Sequence, residues 1–376
     1  MTSILKGQLG AIPSCIVNAY RYKNIADRQL SVRDVLGVRR SILSIDGGGM
    51  RGLFSLEILK DICTECYGDS GVISTTKFLS HFDLIAGTST GALIAVGLAN
   101  GHSIDDIIEH YITLGENVFN NTWTAWPKHG YKMVTTGGFY EETILVNEMR
   151  KLFGKTKLSE LDKHVMVVST DKTTSVFVPY IFRSYVIDSI AKNDQPLSSP
   201  LDVRARGILY CGEGVDNDVE IVDCLRASTA APSYFSPIRY GVTDLIDGGI
   251  VANNPTELAI FEAANRWPKD SIGTILSIGN GTVKETSGYS SLFGLFKDTL
   301  NLITNAEETN RRIKEWISAN KWDINYFRFS PSDLGAIKLD ECDPTILRKG
   351  MAATSQYMAN RRDDMRKLVG IMKGDV

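Results

Sequence analysis

The chain has 376 residues, 43% hydrophobic and 23% charged, with a formal net charge of −3. That is enough apolar material to bury a sizeable core, which excludes an intrinsically disordered chain. The near-neutral balance gives no general reason to bind a nucleic-acid polymer, and no such partner is expected.

Residues 1–40 are mixed in character and read as a helical or irregular lead-in without a secretory leader. Ser41–Ile45 is a short apolar run with β-branched residues, stopped by Asp46-Gly47-Gly48-Gly49; it reads as a strand ending at a glycine turn. Leu53, Leu56, Leu59 and Cys63 recur at helical spacing. The uncharged stretch between Asp83 and Asp105 has the length of a membrane span. Gly87-Thr88-Ser89-Thr90-Gly91 and Gly97 interrupt it, so we expect a strand at Leu84–Ala86, a turn, and a buried helix at Ala92–Ala99.

Further strands are expected at Val165–Ser169, Val176–Phe182 and Thr274–Ile278, and helices at Val222–Ala231 and Pro255–Asn265. Strands alternating with helices predict an α/β fold with a mostly parallel central sheet. The tail from about Ser291 has a largely helical pattern, interrupted at Asp343-Pro344. The expected organisation is a lead-in at 1–40, a core at 41–285 and a C-terminal helical part at 286–376 packed on it. Between Val118 and Tyr140 the aromatics Phe119, Trp123, Trp126, Tyr131, Phe139 and Tyr140 cluster. They suit either a packed insertion or a flap over an apolar pocket or lipid interface. The six cysteines are too few and scattered for a disulfide framework, which points to free thiols in a reducing compartment. Cys63 and Cys66 form a lone C-x-x-C without a second pair for zinc.

Three constellations carry chemistry. Gly87-Thr88-Ser89-Thr90-Gly91 fits G-x-S-x-G, in which a sharp strand-to-helix turn lifts a serine hydroxyl above the sheet. Asp46-Gly47-Gly48-Gly49-Met50-Arg51-Gly52 also lies between a strand and a helix, where free backbone N–H groups and a helix N-terminus can hold an anion. It admits an oxyanion hole at Gly47, Gly48 and Gly49 supported by Arg51. It equally admits the dinucleotide fingerprint G-x-G-x-x-G, or a plain turn. The fingerprint needs an acid at the end of a second strand, and Asp69 sits instead in an apparent turn after a helix. Asp247-Gly248-Gly249 is either a simple turn or a general base at a strand end.

The histidines are His81, His102, His110, His129 and His164. None follows Asp247, which excludes a Ser-acid-His triad with Asp247 as the acid. His102 or His110 could act in another order, but both sit in what reads as a charged surface helix, so a carboxylate is the most economical base for a nucleophilic Ser89.

The three motifs in this order resemble the patatin-like phospholipase family. Arg226-Ala227-Ser228-Thr229-Ala230-Ala231-Pro232-Ser233-Tyr234-Phe235 and Ile250-Val251-Ala252-Asn253-Asn254-Pro255 resemble it too. The resemblance covers about residues 41–285. It implies a three-layer α/β/α sandwich and a metal-free, cofactor-free Ser–Asp dyad that hydrolyses acyl lipids. Ser89 would be the nucleophile, Asp247 its base, and Gly47, Gly48, Gly49 and Arg51 the oxyanion hole. It further implies a phospholipid or other acyl-lipid substrate at a membrane surface and a cytoplasmic protein in peripheral contact with that membrane. A cyclic nucleotide activator and a homodimer are further expectations. The alternative is a nucleotide-binding protein without hydrolase activity.

Overall fold

The computed structural model describes residues 39–119, 140–185, 218–267, 272–281, 306–332, 334 and 337–374. The elements run β1 (Arg40–Ile45), α1 (Gly52–Tyr67), α2 (Val72–Ser80), β2 (Leu84–Thr88), α3 (Thr90–Ala99), α4 (Ile104–Phe119) and α5 (Glu142–Phe153). They continue with β3 (His164–Asp171), β4 (Val178–Arg183), α6 (Ile221–Ser228), β5 (Ile238–Tyr240), β6 (Thr243–Asp247), α7 (Gly249–Ala252) and α8 (Thr256–Arg266). The last are β7 (Ile272–Ile278), α9 (Ala306–Ala319), β8 (Asn325–Phe329), α10 (Pro344–Asn360) and α11 (Arg362–Lys373).

The strands form one sheet in the order β5-β6-β3-β2-β1-β7-β8, with β4 also on β3. The run β3-β2-β1-β7-β8 is parallel, while β4, β5 and β6 pair antiparallel. Apolar residues alternate between the two faces, as the period of a strand requires. Leu43, Ile45, Ile85, Val165, Val167 and Leu276 pack against α1, α3 and their neighbours. Ile42, Leu84, Ala86, Met166, Val168 and Ile275 pack against α8 and α9. Both faces of the sheet are thus covered, giving the α/β/α layers that the motifs implied.

Among the described residues, no helix is long and apolar enough to cross a membrane. The uncharged stretch resolves into β2 and α3 as the glycines predicted. Residues Gly91–Leu98 of α3 are all buried, so the helix has no polar face to show. Helix α1 ends on Gly68, whose left-handed backbone (φ 86°) returns an N–H to the Thr64 carbonyl. Cys63 and Cys66 are free thiols buried on α1, and burial pushes them up to about 12 and about 11.

Among the described residues of the tail, Asn325–Phe329 departs from the helical pattern and joins the sheet as β8, parallel to β7. The interruption at Asp343-Pro344 is a helix start. The Asp343 carboxylate accepts from Thr345 N–H at 2.7 Å and caps α10, with proline in its first turn. The lead-in through residue 38, Cys15, Cys211, His129 and the aromatics Trp123, Trp126, Tyr131 and Phe139 lie outside the described residues.

On the α8 face a buried ion pair ties β4 to α8. Arg183 donates from Nε and Nη2 to the two Glu262 oxygens at 2.8 Å each, and Tyr185 donates to the same carboxylate. Glu262→Ala is expected to lower the unfolding free energy by about 3–5 kcal/mol, because it takes the bidentate carboxylate away from a buried guanidinium. Urea denaturation followed by circular dichroism checks this.

Candidate active site

Strand β3 acts as the ruler of the site. Its residues Met166–Asp171 are paired along one edge by β4. On the other edge β2 runs in parallel and stops where Thr88 faces Val168. Strand β6 then comes in antiparallel along that same vacated edge and stops where Asp247 faces Ser169. The residue after β2 and the last residue of β6 are therefore neighbours. Ser89 Oγ donates to Asp247 Oδ2 at 2.7 Å, across 158 residues of sequence.

Ser89 has φ 53° and ψ −120°, a backbone that a non-glycine residue holds only under strain of about 1–3 kcal/mol. The flanking glycines are steric requirements. A Cβ on Gly91 would lie 2.2 Å from the Ile45 carbonyl oxygen, and one on Gly87 would lie 2.3 Å from the Gly91 carbonyl oxygen. The Ser89 N–H donates to Ser228 Oγ at 2.8 Å, and Ser228 Oγ donates on to the Val168 carbonyl at 2.5 Å. The Ser89 carbonyl accepts from Ala92 and Leu93 N–H in the first turn of α3.

Asp247 is buried at 7% exposure. Its Oδ1 accepts from Gly249 N–H at 2.7 Å, which leaves Oδ2 for the serine. Burial pushes its carboxyl up to about 6, against the opposing pull of those two hydrogen bonds. Among the described residues no histidine hydrogen-bonds to Ser89; its side-chain acceptor is this carboxylate.

The glycine loop rises from the end of β1 beside them. Gly47 N–H is taken by the Asn253 carbonyl at 3.0 Å, Met50 N–H by the Leu339 carbonyl at 2.7 Å, and Arg51 N–H by Gly48 at 3.2 Å. Among the described residues, the N–H groups of Gly48 and Gly49 have no acceptor. The loop is held from several sides. Asn280 Nδ2 donates to the Gly47 carbonyl at 2.5 Å, and the Tyr111 hydroxyl donates to the Gly49 carbonyl. At its base, Asp46 accepts both guanidinium arms of Arg328 on β8, at 2.8 and 2.6 Å. Arg328 also donates to Glu307 on α9 at 2.8 Å. Gly49 has φ 57°, and a Cβ there would lie 2.2 Å from the Leu339 carbonyl, so only glycine fits.

Ser89, Asp247, Gly47, Gly48, Gly49 and Arg51 all line one cavity of about 140 Å³. Its other walls are mainly apolar, with Leu93, Leu114, Phe119, Leu145, Met149 and Phe235 among them. Among the described residues no carboxylate is ion-paired with Arg51. Burial pulls the Arg51 guanidinium down to about 10, which leaves it cationic at neutral pH. Among the described residues no group of three or more His, Cys, Asp or Glu is placed to hold a metal ion. For the dinucleotide alternative, Asp69 lies in the turn between α1 and α2, not at a strand end. The next strand, β2, ends at Thr88 and leads into Ser89 instead.

The family model for patatin-like phospholipases matches residues 43–260, more than half of the 376 residues. The chain belongs to the patatin-like phospholipase family. It is similar to phospholipase A I of Arabidopsis thaliana, 29% identical over 380 residues that cover 89% of this chain and 28% of the plant protein. It is similar to human calcium-independent phospholipase A2-gamma, 27% identical over 379 residues that cover 94% of this chain and 44% of the human one. It is also similar to the cGAMP-activated phospholipase of Escherichia coli (strain TW11681), 26% identical over 280 residues, 69% of this chain and 70% of that protein. The chain spans less than half the length of the plant and human relatives.

Several residues around this patatin-like site carried no assigned role in the sequence. Ser228 stood inside a family-like stretch, and Asn280 beside the glycines that stop β7. Arg328 had no sequence signal at all, since nothing local marks it as the partner of Asp46. Arg328→Met is expected to cost about 3–5 kcal/mol of stability, because it leaves the Asp46 carboxylate buried without its cation. A urea titration of the variant beside wild type measures this.

Proposed function

We propose that this chain is an acyl-lipid hydrolase working through a Ser89–Asp247 dyad. The reading rests on one observation: the Ser89 hydroxyl is hydrogen-bonded to a buried carboxylate at 2.7 Å on the wall of an apolar cavity. The family and the phospholipase names of its relatives support the choice of an acyl lipid as substrate.

In this mechanism Asp247 takes the proton as Ser89 Oγ attacks the ester carbonyl carbon. The oxyanion accepts hydrogen bonds from the Gly48 and Gly49 N–H groups, with the positive end of α3 and the Arg51 cation adding to the field. Gly47 shapes the loop, its own N–H being already given to Asn253. Collapse of the intermediate expels the alcohol, which takes the proton from Asp247. Water then attacks the acyl-enzyme as Asp247 again accepts a proton. Release of the fatty acid returns that proton to Ser89. The strained Ser89 backbone keeps the hydroxyl exposed to substrate, and the apolar walls take the acyl chain.

The cyclic-nucleotide activation named for the Escherichia coli relative is the regulatory part of the proposal, tested by adding a panel of cyclic nucleotides to the assay. The expected homodimer is tested by light scattering of the purified chain.

The deciding experiment is fatty-acid release from mixed phospholipid vesicles in excess chelator. Wild type releases fatty acid, and Ser89→Ala lowers turnover by roughly three orders of magnitude or more with the fold unchanged. Wild-type rates in Ser89→Ala would overturn the proposal. Asp247→Asn, which cannot take a proton, is expected to be nearly as damaging. The base works only when ionised, and its carboxyl sits at about 6. The pH profile of kcat/KM should therefore rise through about pH 6 and level off above it. A profile already flat from pH 4 would remove Asp247 from the base role.

A further inference from the structure

We propose that two hairpin tips at the active-site end of the sheet dock this chain onto a phospholipid bilayer. The tips are the β3–β4 turn, residues 172–177, and the two-residue β5–β6 turn Gly241-Val242. They lie side by side. Lys172 N–H donates to the Asp244 carbonyl at 2.9 Å, and Asp244 N–H donates to Thr173 Oγ1 at 2.8 Å.

Their direction follows from the topology. Strands β2 and β3 run parallel, so the turn after β3 projects from the same end as Ser89. Strand β6 runs back from that end toward Asp247. The tips stand beyond the dyad by about five residues of strand, roughly 16 Å at about 3.3 Å per residue.

These tips break the usual chemistry of turns. Val176, Phe177 and Val242 are 47%, 52% and 80% exposed. Turns of this kind take Gly, Asn, Asp or Ser, and a β-branched residue gains nothing there from folding. Of the seven large apolar side chains that stand exposed among the described residues, these three share one end of the sheet and one surface. They project from convex turns, which suits insertion into a yielding interface rather than a complementary groove. Their neighbours Thr173, Thr174 and Ser175 are exposed, small and uncharged.

The charged groups at the base cancel. Arg239 pairs with Asp244 at 2.8 Å, and Lys172 adjoins Asp171. The surface therefore neither repels phosphates nor depends on attracting them, so a zwitterionic bilayer suffices.

The hairpin also couples surface to chemistry. Chain leaving Tyr234 and Phe235 in the cavity wall enters β5, turns at Val242, and returns along β6 to Asp247. Seating Val242 in lipid thus holds the strand that carries the proposed base. The choice of a bilayer as occupant rests on the acyl-lipid reading above.

Binding and hydrolysis separate the two ideas. Full-length Ser89→Ala protein is sedimented with phosphatidylcholine vesicles, with and without Val176→Asp, Phe177→Asp and Val242→Asp combined. The combined variant should partition at least tenfold more weakly, and raising the salt should leave wild-type binding unchanged. Ile73→Asp, at an equally exposed apolar site at the opposite end of the sheet, should bind like the parent. With Ser89 intact, the combined variant should keep hydrolysis of a soluble short-chain ester and lose hydrolysis of vesicles. Equal binding by the combined variant overturns the proposal. So does binding lost to salt alone, or light scattering that shows the three substitutions splitting a dimer. Vesicle binding with this pattern but no ester hydrolysis would uphold the docking surface and refute the hydrolase.

Discussion

The pairing of β6 onto the edge of β3 that β2 leaves free is the constraint on which the site depends. Val168 faces Thr88 and Ser169 faces Asp247, one residue apart. A strand's side chains alternate faces, so a slip of one residue would turn Asp247 away from the serine. The register is held by a set of further contacts. Thr170 Oγ1 donates to the Asp247 carbonyl, Ser169 Oγ to the Ile246 carbonyl, and Asp247 N–H to the Ala230 carbonyl. Ser228 completes the lock by joining the elbow to β3. A hydrogen bond of 2.7 Å between Ser89 and Asp247 is the product of that whole framework.

The same framework divides two carboxylates between two tasks. Asp46 and Asp247 both stand at strand ends and are both buried. Asp46 meets a bidentate guanidinium and has its charge compensated, so it serves as an anchor for the glycine loop. Burial pushes both carboxyls up to about 6, so it is their partners that set them apart: Asp247 meets only an N–H and a hydroxyl and stays within reach of the Ser89 proton. In the proposed mechanism that difference makes one a strut and the other a base. Arg328 reaches Asp46 from β8, which makes the last strand of the sheet a support of the loop rather than a remote appendage.

The apolar cavity and the exposed hairpin tips are parts of one arrangement. The cavity wall at Phe235 and the carboxylate at Asp247 are the two ends of a single hairpin whose turn is Val242. A rigid sheet below and an apolar turn above give the site a fixed floor and an outward-facing contact. Ser89 follows the carboxyl end of a parallel strand, the usual position of a site in open α/β sheets, because helices cover both faces and only the strand ends remain open.

Much of the local structure was legible in the amino-acid order, because it answers to local steric demands. Gly87 is dictated by the Gly91 carbonyl four residues on, at 2.3 Å, and Gly49 by a left-handed φ. Such demands leave a signature within a few residues, as do the helix start at Asp343-Pro344 and the strand–turn–helix around Ser89. The exclusion of a Ser-Asp247-His triad followed from chain order alone. Other features were decided only by the tertiary structure. The Ser89–Asp247 contact spans 158 residues and the Arg328–Asp46 clamp spans 282. Strand β8 was hidden in a helical-looking tail because its pairing partner, β7, lies far from it in the chain. Val242 was silent for the same reason: a lone valine acquires meaning only when its hairpin is set against the β3–β4 turn, where Asp244 N–H donates to Thr173 Oγ1. Backbone sterics act over a few residues and can be read in sequence, whereas register and charge pairing depend on which strand edge is left free.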